Sequence, residues 1–121
     1  MESRAELKRA YKETPPETGV FVITNTKNGK VYLGSSLNLR GPLNRHRFML
    51  NHGSNWVKGL QADWKLFGAD AFTFEVVELV KRTEDPDFDV NEALQKLERA
   101  WLEKLQPIGE RGYNKDAKIR E

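Results

Sequence analysis

Near the C-terminal end of the 121-residue chain, a glutamate sits where a leucine would be expected. On a helix turning about 100° per residue, Leu94, Leu97, Trp101 and Leu105 form one stripe. Glu98 is four after Leu94 and three before Trp101, so it falls near the middle of that stripe. A carboxylate without a partner is among the least favourable groups to bury, so Glu98 needs a cation, strong donors or a metal. An ion pair with an arginine or lysine at the core edge answers that need, and so does a metal or catalytic role. A second polar residue breaks another apolar arc: Leu43, Met49 and Leu50 share a helix face, and His46 lies within it. A histidine there is either satisfied inside the core or, with Arg45 and Arg47 flanking it, able to meet a phosphate and move a proton. Tyr32 lies in a strand-like run two residues before Gly34, which permits close backbone approach. A strand tyrosine ordinarily packs in the core with its hydroxyl bonded nearby. Asn114 closes a "GYN" segment and reads equally as a turn or a site residue.

The net charge of +2 conceals an uneven distribution. From Lys27 to Lys65 there are seven basic residues (Lys27, Lys30, Arg40, Arg45, Arg47, Lys58 and Lys65) against the single acid Asp63, whereas "TEDPDFD" carries four acids and no base. A basic middle segment is the electrostatic footprint of a phosphate-rich partner such as nucleic acid, or else a solvated helix face.

The elements that would position these residues follow from periodicity and punctuation. Residues 3–12 form an amphipathic pattern ended by "TPPETG", so 1–18 reads as an N-terminal helix and linker ahead of a domain spanning 19–121. "GVFVITNTKNGKVYLGSS" predicts two strands, about 19–25 and 30–34, around a type I′ turn at Asn28-Gly29. Pro42 suits the first position of a helix running to about Asn51, with Gly53 beyond it. Ser54 predicts the cap of a second helix through Phe67, stopped by Gly68. "FTFEVVELV", 72–80, is a third strand; an acidic loop over 81–89 leads to a helix at about 91–105. The order β-β-α-α-β-α implies an α+β domain: a small three-stranded antiparallel sheet flanked by helices. The chain is long enough for one core without staples. No apolar run is long enough to span a bilayer, and the absence of cysteine fits a cytoplasmic protein.

Taken together, these segments resemble the GIY-YIG nuclease superfamily. "GVF", Gly19-Val20-Phe21, stands at its first motif, and "YLG", Tyr32-Leu33-Gly34, at its second. "GSSLNL", "LQADWKLFG", "FTFEVVE", "LERAWLEKL" and the terminal "GYN" follow in the family's order, so the resemblance runs from about Gly19 to Asn114. It implies a metal-dependent endonuclease that hydrolyses DNA phosphodiester bonds. Glu98 matches the glutamate that holds one divalent ion, Mg²⁺ or Mn²⁺. Tyr32 matches a general base on the attacking water; a free phenol titrates near pH ~10, so the site must favour its phenolate. His46 matches a histidine that orients water or assists proton transfer, and Asn114 an asparagine that positions the glutamate or tyrosine. Lys30, Arg40, Arg47 and Lys58 would hold the DNA backbone without reading sequence.

Two positions depart from the family pattern. The first-motif tyrosine is Phe21, and Pro42 stands where the family places an arginine four residues before the histidine. Arg45, one turn beyond Pro42, is the expected replacement, with Arg40 and Arg47 next. The departures leave open a module on the same fold that binds nucleic acid without cutting it; a protein–protein adaptor would do neither.

Overall fold

The computed structural model describes residues 17–115; the N-terminal pattern at 3–12 lies outside them. Strands β1 (Gly19–Asn25) and β2 (Val31–Ser36) are followed by helices α1 (Arg40–His52) and α2 (Lys58–Phe67). Strand β3 (Phe72–Leu79) and helix α3 (Val90–Leu105) complete the set, with short 3-10 turns at Ala69–Ala71 and Gly109–Arg111. The sheet is antiparallel in the order β2-β1-β3, the α+β architecture the pattern predicts. Among the described residues, no helix is long and apolar enough to cross a membrane.

The central strand is buried on both sides because each face has its own helical cover. Phe21 and Ile23 join Leu39, Leu50, Leu60, Trp64 and Phe72 beneath α1 and α2. Val20 and Val22 face the other way and pack with Leu33 against Leu97, Trp101, Leu102 and Leu105 of α3. Fully burying a leucine- or phenylalanine-sized side chain contributes roughly 1.5–3 kcal/mol, so the two clusters hold all three layers together. The Trp101 indole N–H also donates to Glu78 at 2.9 Å, tying α3 to β3. Gly19 sits beside a register shift at Val20/Phe21, and a Cβ there would lie 2.2 Å from the Glu78 carbonyl oxygen. The close approach of β3 therefore requires glycine.

Several boundaries differ from the expected ones. The hairpin is not a type I′ turn: Gly29 has φ +81°, but Asn28 does not enter the positive-φ region. The chain instead makes a wider loop from Thr26 to Lys30, with the Gly29 N–H donating to the Asn25 carbonyl at 2.8 Å. Asn25 causes this. It is fully buried, its Oδ1 accepts the Lys27 N–H at 2.9 Å, and its Nδ2 donates to the Tyr113 hydroxyl at 3.2 Å. Strand β2 accordingly begins at Val31 and runs on to Ser36. Pro42 is the third residue of α1, not the first; no N–H in the opening turn needs an intrahelical acceptor, so proline is tolerated throughout it. Ser54 does not cap α2, which starts after Val57; Asn55 turns inward there instead, its Oδ1 accepting the Val57 N–H at 2.9 Å. Asp89 caps α3 by accepting from the N–H groups of Asn91 and Glu92. Gly53 and Gly68 end α1 and α2 as expected.

Candidate functional site

The groove that gathers the chemistry-bearing residues lies at β2, an outer strand of the sheet. It encloses about 1030 Å³, and Tyr32, His46, Trp56, Lys58, Glu98 and Asn114 are among the residues lining it. Strand alternation sends Tyr32 toward α1 and α2, and Ser35 toward α3. Because β2 is an edge, side chains from both sides of the sheet reach one cleft.

On the first side, Pro42 and His46 line the groove one helical turn apart on α1. The His46 ring lies 5.2 Å from that of Tyr32, 5.8 Å from Phe21 and 4.5 Å from Trp56, centroid to centroid. His46 is only 1% exposed. Burial, then the charge of Arg45, lowers its pKa from 6.5 to about 4, so it is neutral at neutral pH. Its tautomer follows from Asn55. The Val57 N–H occupies Asn55 Oδ1, which turns Nδ2 toward His46 Nδ1 at 2.9 Å. Nδ1 is therefore an acceptor and the ring proton resides on Nε2. Gln61 completes the buried set: its Oε1 accepts the Asn55 N–H at 2.9 Å and its Nε2 donates to the Leu50 carbonyl at 3.1 Å. Of the two sequence readings, a satisfied buried histidine describes its contacts, yet the ring still borders the groove.

Phe21 is 2% exposed and lies against Gly34; a Cβ at Gly34 would come within 2.4 Å of the Phe21 para carbon. The glycine of the second motif thus makes room for the aromatic ring of the first.

On the α3 side, Glu98 is half-buried, and its Oε2 accepts a hydrogen bond from the Ser35 hydroxyl at 2.6 Å. The ion pair that one sequence reading allowed is absent among the described residues, where Lys96–Glu92 is the salt bridge formed. Glu98 Oε1 receives no hydrogen bond from a described residue. No cluster of three metal-ligating acids or histidines exists among the described residues, so any cation here would rest on this single carboxylate.

The outer edge of β2 is closed by Asn114. Its Oδ1 accepts the Leu33 N–H and its Nδ2 donates to the Leu33 carbonyl, both at 2.8 Å, so one amide replaces a neighbouring strand between Tyr32 and Gly34. The Tyr113 N–H donates to the Val31 carbonyl at 2.9 Å, extending the closure. Tyr113 is pinned in turn: its hydroxyl donates to Asp63 of α2 at 2.6 Å. Burial and that hydrogen bond push its pKa up to about 12.

The expected basic residues separate. Lys58 lines the groove, together with Lys115, which sequence reasoning did not single out. Arg45 is exposed and does not line it, although its charge acts on His46. Arg47 turns over the Phe74 ring at 4.5 Å, and Arg40 is exposed at the start of α1. Lys30 lies 5.9 Å from the centroid of Tyr113, outside the groove lining. Ser35, Asn55, Trp56, Asp63 and Tyr113 were missed as site or support residues. Each owes its role to a contact distant in sequence or to a loop conformation, which leaves no periodic signal.

Comparison with known proteins bears on the fold and the family. No curated protein matches the chain. Two similar solved structures are of one protein. The catalytic domain of the homing endonuclease I-TevI shares 25% identity over 82% of this chain and 98% of its own, with a TM-score of 0.64. A mutant form of the same catalytic domain shares 24% identity over 81% of this chain and 92% of its own, also with a TM-score of 0.64. The GIY-YIG catalytic domain model matches residues 17–114, nearly all of the described chain and both sides of the groove, and the chain belongs to that family.

Proposed function

We propose that the protein is an endonuclease that hydrolyses phosphodiester bonds in DNA with the help of one divalent cation, Mg²⁺ or Mn²⁺. Glu98 carries this reading: a carboxylate on a groove wall, held by a neutral hydroxyl and without a charged partner among the described residues. A hard oxygen donor of this kind fits a cation whose remaining positions are filled by water and phosphate oxygens. Such an ion, when bound, neutralises charge on the phosphate and helps the leaving oxygen depart.

The protein side chains then divide the remaining work. Ser35 fixes Glu98 through Oε2. Tyr32 takes the proton of the attacking water. Tyr113 is unsuited to that task, because Asp63 holds its proton in place. His46, neutral and protonated on Nε2, donates a hydrogen bond to the phosphate as charge develops there, or to the Tyr32 phenolate oxygen before it takes the proton. It does not supply net positive charge. Asn114 holds the β2 backbone at Leu33, which sets the position of Tyr32 next to it. Burial keeps His46 neutral, and the field of Arg45 adds to it. Lys58 and Lys115 bring positive charge to the groove, and Lys30, Arg40 and Arg47 attract the DNA backbone from outside it.

The test is cleavage of supercoiled plasmid and of a single-stranded oligonucleotide with Mg²⁺, with Mn²⁺ and with EDTA. The expected result is cleavage only with metal, lowered at least about 100-fold by Glu98→Gln, with the fold and DNA binding retained. Phe21 contributes no phenol, which favours a second reading as a binding module. Salt-sensitive binding with no metal-dependent cut would establish that reading and overturn the first.

A further inference from the structure

We infer that Trp56 and Lys58 form a subsite for one unpaired nucleotide beside the scissile phosphate, the indole stacking on the base and the ammonium meeting the phosphate. The inference rests on the nuclease reading and adds the substrate class that reading leaves open.

Trp56 is 52% exposed, whereas Trp64, eight residues on, is 8% exposed and part of the core. Neither hydrophobic cluster includes Trp56, so packing does not account for its size. Its one aromatic neighbour among the described residues is His46, at 4.5 Å and tilted by 41°. More than half of its surface remains open at a groove that Lys58 also lines. The backbone beneath it is fixed on both sides. Asn55 is buried with its hydrogen bonds to Gln61, His46 and Val57 all made, and α2 starts at Lys58. A half-exposed indole on a fixed backbone, sharing a groove with a lysine, has the composition of a single-strand stacking platform. Every base presents a π face, so such contact tolerates any sequence. A base inside a duplex has both faces covered by its neighbours, so only an unpaired or displaced base can use the site. Pro42, Val57 and Phe21, which line the same groove, add no charge that would oppose an aromatic guest.

The experiment uses the full chain carrying Glu98→Gln, to prevent cutting, and three labelled DNAs: a blunt duplex, the same duplex with one bulged nucleotide, and the same bulge with an abasic site. Base–aromatic stacking of ~1–3 kcal/mol predicts that the bulged base binds about 5- to 150-fold tighter than the abasic bulge. Trp56→Leu should reduce that ratio to within about twofold while leaving abasic affinity nearly unchanged, and Trp56→Phe should keep part of it. Indole fluorescence should be quenched by the bulged base and not by the abasic bulge, and the quench should disappear in Trp56→Phe. Lys58→Met should weaken both bulged DNAs equally. Equal affinity of the parent protein for base and abasic bulge overturns the inference. So does an equal loss on both from Trp56→Leu, which would make Trp56 a cover for His46. Failure to bind any of the three DNAs would overturn the nuclease reading, and this one with it.

Discussion

The neutral state of His46 has a direct cost in acid. In the native protein the ring gains its second proton at about pH 4, whereas an unfolded chain takes it at 6.5. Above pH 6.5 both states are neutral at this position, and the native fold keeps its full stability. As pH falls through the window from 6.5 to about 4, the unfolded chain binds a proton that the native one refuses, and stability is lost. At about 1.4 kcal/mol per pH unit, the penalty at pH 4 is about 3 kcal/mol, a large fraction of a small domain's total. The physical source is the buried ring, its Nδ1 already accepting from Asn55, with the charge of Arg45 nearby. Urea unfolding across pH 4–7 should therefore show a fall that His46→Asn lacks, whatever that variant's starting stability. The sequence holds two histidines, so a His52→Gln protein leaves one ring to follow. Long-range nitrogen–proton NMR on it should show the Nε2–H tautomer and a midpoint well below 6.5. A midpoint at 6.5, or a proton on Nδ1, would refute the reasoning and return His46 to the role of a proton acceptor.

Other perturbations test the remaining supports. Gly34→Ala drives a methyl group into the Phe21 ring and should cost about 1–3 kcal/mol, read as a lower urea midpoint; adding Phe21→Leu should recover part of it. Asn114→Ala leaves the Leu33 N–H and C=O unpaired at the β2 edge, so stability should fall by about 1–3 kcal/mol; turnover should fall with it, because Tyr32 is adjacent. Arg45→Ala should raise the His46 midpoint by NMR, though not to 6.5, since burial is the larger cause; cleavage should change by less than about threefold, a smaller loss than for Lys58→Ala.

The layered fold was legible because its signals are local and periodic. The unbroken β-branched and aromatic run "GVFVI" and the alternation in "FTFEV" mark strands, and the stripe from Leu94 to Leu105 marks α3 and isolates Glu98 as the anomaly. Where a distant contact competes with a local rule, the local rule fails. Asn28-Gly29 favours a two-residue turn, but Asn25 is drawn inward by Tyr113 and the loop widens. Ser54 is a sound cap by type, but its neighbour Asn55 is held by His46 and Gln61, and α2 starts later. The expectation that Arg45 stands in for the missing arginine rests on its offset of one turn from Pro42. Pro42 and His46 define a narrow face, and the arginines flanking His46 fall to either side of it.

The closure of β2 by Asn114 ties function to the order of synthesis. The amide that completes the Leu33 edge follows it by 81 residues. A nascent chain therefore carries Tyr32, His46 and Glu98 before the segment that fixes the strand between them has emerged. Until then the Leu33 N–H and C=O face outward, open to water or to a strand from a neighbouring chain. A polypeptide stalled ahead of Gly112 would lack the brace at Leu33 and be prone to self-association through its open β2 edge, and the arrival of Asn114 closes that edge and sets the strand beside Tyr32 in one step.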